Sequence, residues 1–253
     1  MKALILAAGM GRRISELTKD KPKGMIDFMG KTILQHQIDI FKSCGINEII
    51  IVRGYLSDLI NYQNIKYFDN NEYDSTNMIE SFVLARNLFD DDFVVSYSDI
   101  LFSKNVLKKI INNKSDIVVS VDKSWKNYWL ERYGNLSSDL ENLQIINNKI
   151  KKIGQLIYNA DNINYRYVGL NKFTKQGLRQ LLKTYDNKKL NNTKWNASGN
   201  SFKQGYFTDI LQEIIDSNYP VDCNFIAGGW LEIDTLQDYK VACRLFESNK
   251  FKF

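Results

Sequence analysis

An apolar run at Ala3–Leu6 stops in Gly9 and Gly11, with Arg12 and Arg13 immediately beyond. It reads as a buried strand feeding a glycine-rich loop. Glycines let the backbone come close to a phosphate and aim several N–H groups at it. Arginine adds a planar fork of donors that matches phosphate oxygens. Two common phosphate loops are excluded. Ile14 stands where the dinucleotide fingerprint needs its third glycine, and no Gly-Lys-Ser/Thr follows at P-loop spacing. Turn formation alone also calls for glycine, so the loop by itself leaves phosphate binding open.

Strand and helix patterns then alternate. Thr32–Cys44 carries Ile33, Leu34, Ile38 and Phe41 at helical spacing, with Gly45 as its stop. Glu48–Val52 and Ile65–Phe68 read as strands, and Ser75 is expected to cap a helix reaching Leu88. Strands at Phe93–Tyr97 and Ile117–Val121 flank a helix over Asn105–Asn112. This alternation predicts a mostly parallel sheet covered on both faces. The second half is less regular. Leu143–Ile146 and Ile150–Ile153 flank Asn147-Asn148-Lys149 as a hairpin, and Tyr167–Leu170 is a strand. Lys175–Tyr185 and Thr208–Asp216 are helices, and Leu231–Ile233 leads into a last helix. With two prolines and no linker rich in Pro, Gly or Ser, the reading is one α/β domain over 1–253, a three-layer α/β/α sandwich.

Composition rules out several classes. The charge sum of +5 on 253 residues comes with no nucleic-acid motif. Cys44, Cys223 and Cys243 form no CxxC pair, and His36, the single histidine, completes no zinc set with them. They read as reduced thiols of a cytoplasmic protein. No apolar stretch reaches membrane-spanning length, and the N-terminus lacks a signal-type cleavage region, so no membrane partner is expected.

A second element follows the loop: Lys21-Pro22-Lys23-Gly24-Met25, then Gly30-Lys31 before the helix. Pro22 stiffens the chain ahead of Lys23. With the Leu6-Ala7-Ala8-Gly9-Met10-Gly11-Arg12-Arg13 segment, this order resembles the sugar-nucleotide and cytidylyl nucleotidyltransferases. The resemblance implies that Arg13 and Lys23 are catalytic, contacting the triphosphate and stabilising charge at the reacting phosphorus. It also implies a nucleotide surface built from Leu6, Ala8, Gly9, Met10, Gly11, Arg12 and Lys23, with Tyr73, Thr76, Asn77, Ser81 and Ser98. Arg12 departs from a small hydroxyl residue usual in that family, and Glu16 from a proline. Asp99 and Asp234 stand where the family places its metal carboxylates, implying Mg2+, with Mn2+ as an alternative. Capping of the last helix is the other use for Asp234, and capping is likewise the other use for Thr76-Asn77.

The likeness extends through Tyr73–Met78, Ser96–Ile100, Tyr128–Arg132 and Tyr167–Leu170, and within the family it is nearest the cytidylyltransferases acting on phosphocholine, phosphonates and phosphoglutamine. It implies a nucleotide-binding half over about 1–120 and an acceptor-binding half over about 121–253. The small-molecule partners implied are CTP and a phosphorylated acceptor; a homodimer is left open. Asp122, Trp129 and Arg132 are the acceptor candidates, because a basic residue among the aromatics suits an acceptor with its own negative groups better than a bare choline cation. Glutamine phosphate, for capsular phosphoramidate assembly, comes first; 2-aminoethylphosphonate and phosphocholine are the alternatives. A GT-A glycosyltransferase would carry Asp-x-Asp, whereas Tyr97 lies two before Asp99. A silent nucleotide-binding protein is the remaining rival. Lys23→Ala and Asp99→Ala are each expected to remove most pyrophosphate release while leaving the circular dichroism spectrum unchanged.

Overall fold

The computed structural model describes every residue except Tyr158 and Asn162. Lys2–Ala7 is buried along its whole length and pairs in parallel with Ile49–Arg53 on one side and Phe93–Tyr97 on the other. Lys66–Asp69 extends the sheet in parallel beyond Ile49–Arg53. On the other flank Arg166–Phe173 lies antiparallel between Phe93–Tyr97 and Ile117–Asp122, and Asp222–Ile226 follows in parallel. The hairpin Glu141–Ile146 and Lys149–Leu156 closes that edge of a nine-stranded sheet. The expected parallel first half and mixed second half are both present.

Strand periodicity explains the three layers. Leu4 and Leu6 point into one core with Val52, Val95 and Val119, while Ala3, Ile5 and Ala7 point into the other with Ile51, Val94 and Val118. A strand buried on both faces can carry no alternation, hence its continuous apolar run. The helix Ile33–Ser43 is capped by Thr32, whose hydroxyl accepts from the Gln35 N–H at 3.0 Å, and Gly45 follows in the left-handed region at φ +83°. A third apolar cluster joins Ile14, Phe28, Ile33, Leu101, Leu231, Ile233 and Phe251 beneath the last helix, Leu236–Glu247.

Several boundaries differ from the sequence reading. Asn77, not Ser75, caps its helix, which runs only over Met78–Val83 before a separate turn at Arg86–Leu88. Thr76 spends its hydroxyl on the preceding Glu72 carbonyl at 2.7 Å, so the chain cannot enter the helix earlier. The helix Lys175–Asn191 runs past Tyr185 because its polar last turns are held from outside, by Lys188 on Glu213 and Arg86 on Asp186. Trp125–Tyr133 is a helix whose buried face carries Trp125, Trp129 and Arg132, a mixture that hides its period. Asp222–Ile226 becomes a strand through parallel pairing with Ile117–Asp122 rather than through its own pattern. His36 has a structural role: Nε2 meets the Phe28 carbonyl at 2.7 Å and the ring stacks on Phe253.

In Arg166–Phe173 the register shifts between Tyr167 and Asn171, and Gly169 absorbs the irregularity at φ +76°. A Cβ there would lie 2.7 Å from the Tyr97 ring. Gly169→Ala combines left-handed strain with overpacking and is expected to cost roughly 2–4 kcal/mol in urea unfolding.

Candidate active site

The glycine-rich loop leaves the first strand at the carboxyl edge of the parallel strands, where open α/β sheets bind ligands. Both flanking strands pin it. The Ser98 N–H donates to the Leu6 carbonyl at 3.1 Å, and the Tyr55 N–H donates to the Ala8 carbonyl at 3.1 Å. Gly11 sits at φ +62°, and its missing side chain leaves room for Lys23, whose Cβ is 3.2 Å from where a Gly11 Cβ would be. Thr18 donates its hydroxyl back to the Gly11 carbonyl at 3.0 Å. Leu6 and Ala8 are buried, Gly9 and the Arg12 and Arg13 side chains are exposed, and Met10 lies between. Tyr73 packs edge-on to Tyr55 and so borders the loop.

Asp99 and Asp234, far apart in sequence, are brought together by a short antiparallel ladder. Ile100–Phe102 pairs with Trp230–Glu232, and the Ile233 N–H donates to the Asp99 carbonyl at 2.9 Å. Lys23 Nζ then reaches Asp99 Oδ2 at 2.9 Å and also Asp234 Oδ1. Arg13 Nη2 meets the other Asp234 oxygen at 2.8 Å. Burial pushes the Lys23 ammonium down, but the two carboxylates outweigh it and hold the group above the usual lysine range. Burial likewise raises the Asp234 carboxyl, and Lys23 and Arg13 reverse that, leaving it below its ordinary value. Asp234 does not cap the last helix. Thr235 is the cap and Asp238 its capping-box partner.

A divalent cation fits this pair. Asp99 Oδ1 is buried with no hydrogen-bond partner among the described residues, an acceptor that an additional cation would satisfy. Magnesium takes only one or two protein carboxylates alongside phosphates and waters, so no third ligand is needed. Among the described residues no cluster of three or more His, Cys, Asp or Glu offers an alternative.

The three acceptor candidates are interior residues. Asp122 accepts from Ser124 N, Gly228 N and Trp230 Nε1, joining the ends of two strands. Trp129 is fully buried and donates to the Ser138 carbonyl at 2.8 Å. Arg132 has a wholly buried side chain forked onto Asp238, at 2.8 and 3.0 Å, and paired with Glu232. Its fork is filled, so no edge remains for an acceptor. Asp238 Oδ2 also accepts the N–H groups of Asp234 at 3.1 Å and Thr235 at 2.9 Å. Arg132 therefore acts on the site through Asp238, holding the backbone that carries Asp234. Nearby, Tyr128 exchanges hydrogen bonds with the Glu232 backbone. Burial raises the Glu232 carboxyl to about 7 against the opposing pull of Arg132.

Thr76 and Ser81 accept from the buried Asn70 amide at 2.9 and 3.0 Å. Asn77 caps its helix through the Met78 N–H. Asp238, Glu232 and Arg166 escaped the sequence reading. The first looks like an ordinary capping-box acid, and the spacing of Glu232 two before Asp234 was the available signal for the second. Arg166 opens an antiparallel strand and so lies at the same sheet edge as Asp99, which only topology reveals.

A family model described as MobA-like NTP transferase domain matches residues 3–159. The chain is 37% identical to the CTP:phosphoglutamine cytidylyltransferase of Campylobacter jejuni, over 95% of this chain and 98% of that one. The choline-phosphate cytidylyltransferase of Streptococcus pneumoniae is 32% identical over 53% of this chain and 59% of its own length. A solved structure of CTP:phosphocholine cytidylyltransferase from Streptococcus pneumoniae matches the fold with a TM-score of 0.77 at 21% identity, covering 97% of this chain and 98% of that one.

Arg132→Met removes one member of a buried ion pair and is expected to cost about 3–5 kcal/mol in urea unfolding. Asp238→Asn is expected to weaken Mn2+ binding about 10- to 100-fold, read from the electron paramagnetic resonance of free Mn2+ without turnover. Unchanged Mn2+ affinity would show that the clamp does not position the carboxylates.

Proposed function

The chain belongs to the MobA-like NTP transferase family and is a nucleotidyltransferase; from that premise we propose that it moves CMP from CTP onto the phosphate of glutamine phosphate, releasing pyrophosphate. One observation carries the chemistry: Asp99 presents a buried, unpartnered oxygen beside Asp234 and Lys23, at the mouth of the glycine-rich loop. The near full-length likeness to a phosphoglutamine enzyme supports the choice of nucleotide and acceptor.

In this reading the exposed backbone of Gly9–Gly11 receives the triphosphate, with Arg12 and Arg13 on its oxygens. Tyr73 borders the nucleotide, and Thr76, Asn77, Ser81 and Ser98 hold the framework around it. Asp99 and Asp234 hold Mg2+, or Mn2+ in its place, which when bound screens the triphosphate and the charge developing in transfer. Lys23, held as an ammonium by its carboxylate neighbours, supplies a fixed positive charge at the reacting phosphorus. Arg13 does the same from the opposite side of Asp234.

No general base is required. The phosphoryl group of an N-phosphorylated amide such as glutamine phosphate, like that of a phosphate monoester with a second pKa of about 6, is already anionic at neutral pH. Its oxygen forms the new bond to the α-phosphorus in line with the bond to pyrophosphate that breaks, so positioning and electrostatics carry the rate. The product enters capsular phosphoramidate assembly. The setting is the cytosol, consistent with three free cysteines. Tyr97 occupies the place a GT-A enzyme gives to aspartate, and its hydroxyl is spent on Tyr167 at 2.9 Å in the interior.

Pyrophosphate release is to be measured with Mg2+ over four nucleoside triphosphates against glutamine phosphate, phosphocholine, 2-aminoethylphosphonate and a sugar 1-phosphate. Release confined to CTP with glutamine phosphate is expected. Release only with another acceptor would keep the chemistry and overturn the substrate, and no release in any combination would overturn the activity.

A further inference from the structure

Arg166 opens the strand Arg166–Phe173 opposite Asp122, at the edge of the sheet that carries Asp99. Its side chain is 8% exposed and lies over the face of Trp129, 4.5 Å from the ring centre. Arg132 is 4.7 Å from the same ring, so the indole fixes the planes of two guanidinium groups. Their hydrogen bonding differs sharply. Each of the three Arg132 nitrogens has a carboxylate partner, on Asp238 or Glu232. Among the described residues Arg166 donates only from Nη2, to Asp139 at 3.1 Å, and its Nη1 is buried without a partner. Arginine has five N–H donors, and a buried charged donor left unmade is costly. The position suits an anion that none of the described residues provides.

The surroundings decide which anion. Asp139 pairs with Arg166, while Glu232 pairs with Arg132 on the same indole and stands two residues before Asp234, so this cluster adjoins the metal carboxylates. Acidic side chains beside these arginines disfavour a second phosphate and favour an ammonium. A ligand carrying both a carboxylate and an ammonium satisfies the two halves together. A quaternary ammonium alone would leave Nη1 unmade and set a like charge beside the guanidinium.

We propose that Arg166 is the specificity-determining residue for the acceptor, its free guanidinium edge taking the α-carboxylate of an amino-acid phosphate while Asp139 and the neighbouring carboxylates take the α-ammonium. This rests on the cytidylyl-transfer reading and names the feature of the acceptor that the site recognises. Asp139, 36% exposed, is the solvent-side neighbour past which the acceptor enters. The role assigned to Arg132 from the sequence thus passes to Arg166, across the same indole.

The test compares glutamine phosphate with its α-carboxyl methyl ester and with 2-aminoethylphosphonate, at saturating CTP and Mg2+. In the wild-type enzyme the methyl ester is expected to raise the acceptor KM roughly 10- to 100-fold, the value of a charge-assisted, forked hydrogen bond. Arg166→Gln is expected to raise the KM for glutamine phosphate by a similar factor, to leave the KM for CTP within about two-fold, and to abolish the difference between acid and ester. Equal wild-type KM values for acid and ester would overturn the assignment without recourse to any variant. So would a variant that raises the KM of all three acceptors alike or weakens CTP in parallel, since that is what loss of packing on Trp129 would do. Absence of turnover by the wild-type enzyme with every acceptor would instead overturn the transfer reading itself.

Discussion

An ammonium held between two aspartates is the constraint on which the site depends. Lys23, Asp99 and Asp234 come from three distant parts of the chain, and Lys23 and Asp234 are buried against each other. An unpaired buried carboxylate would take up a proton, and an unpaired buried lysine would lose one. Pairing favours the charged form of both, holding Lys23 above and Asp234 below its ordinary range. Their meeting requires the short ladder between Ile100–Phe102 and Trp230–Glu232, the absence of a side chain at Gly11, and the Pro22 turn that delivers Lys23. Those features in turn need the core beneath the last helix, where Leu101, Leu231 and Ile233 pack against Ile14 and Phe28.

Behind the aspartates lies a second ionic layer. The side chains of Arg132 and Asp238 are wholly buried and pair through two hydrogen bonds, and Asp238 also takes the backbone N–H groups of Asp234 and Thr235. Such a pair adds little net stability over a well-packed apolar alternative. What it contributes here is position: the turn bearing Asp234 is tied to the helix Trp125–Tyr133, which carries Trp129 and whose Tyr128 packs edge-on against Trp230. Arg166 meets the same indole yet is left half-bonded, so the two arginines divide support from recognition by how completely their donors are used.

Much of this molecule was legible in its sequence. The strand before Gly9 is apolar from Ala3 to Ala7 because both faces are covered, and the helix from Ile33 shows its period because one face is wet. Arg13, Lys23, Asp99 and Asp234 were singled out through the family resemblance that the glycine-rich loop and the Lys21–Met25 segment carry, and the structure brings the four together. The helix over Trp125–Tyr133 and the strand Asp222–Ile226 were not readable. One buries an arginine on its inner face, and the other carries Asp222 and the buried Asn224 among its apolar residues, so neither shows the pattern of its class.

The sequence by itself therefore determined the class of fold, the glycine-rich loop and the charged residues around it, since those depend on neighbours a few positions away. Only the tertiary structure decided which arginine faces inward to hold the site and which keeps a free edge. Arg132 and Arg166 are both basic residues beside aromatics in sequence, and their difference lies in partners supplied by other segments: among the described residues, Glu232 and Asp238 for one and Asp139 for the other. The saturation of a buried guanidinium is a property of the three-dimensional surroundings, and no local pattern encodes it.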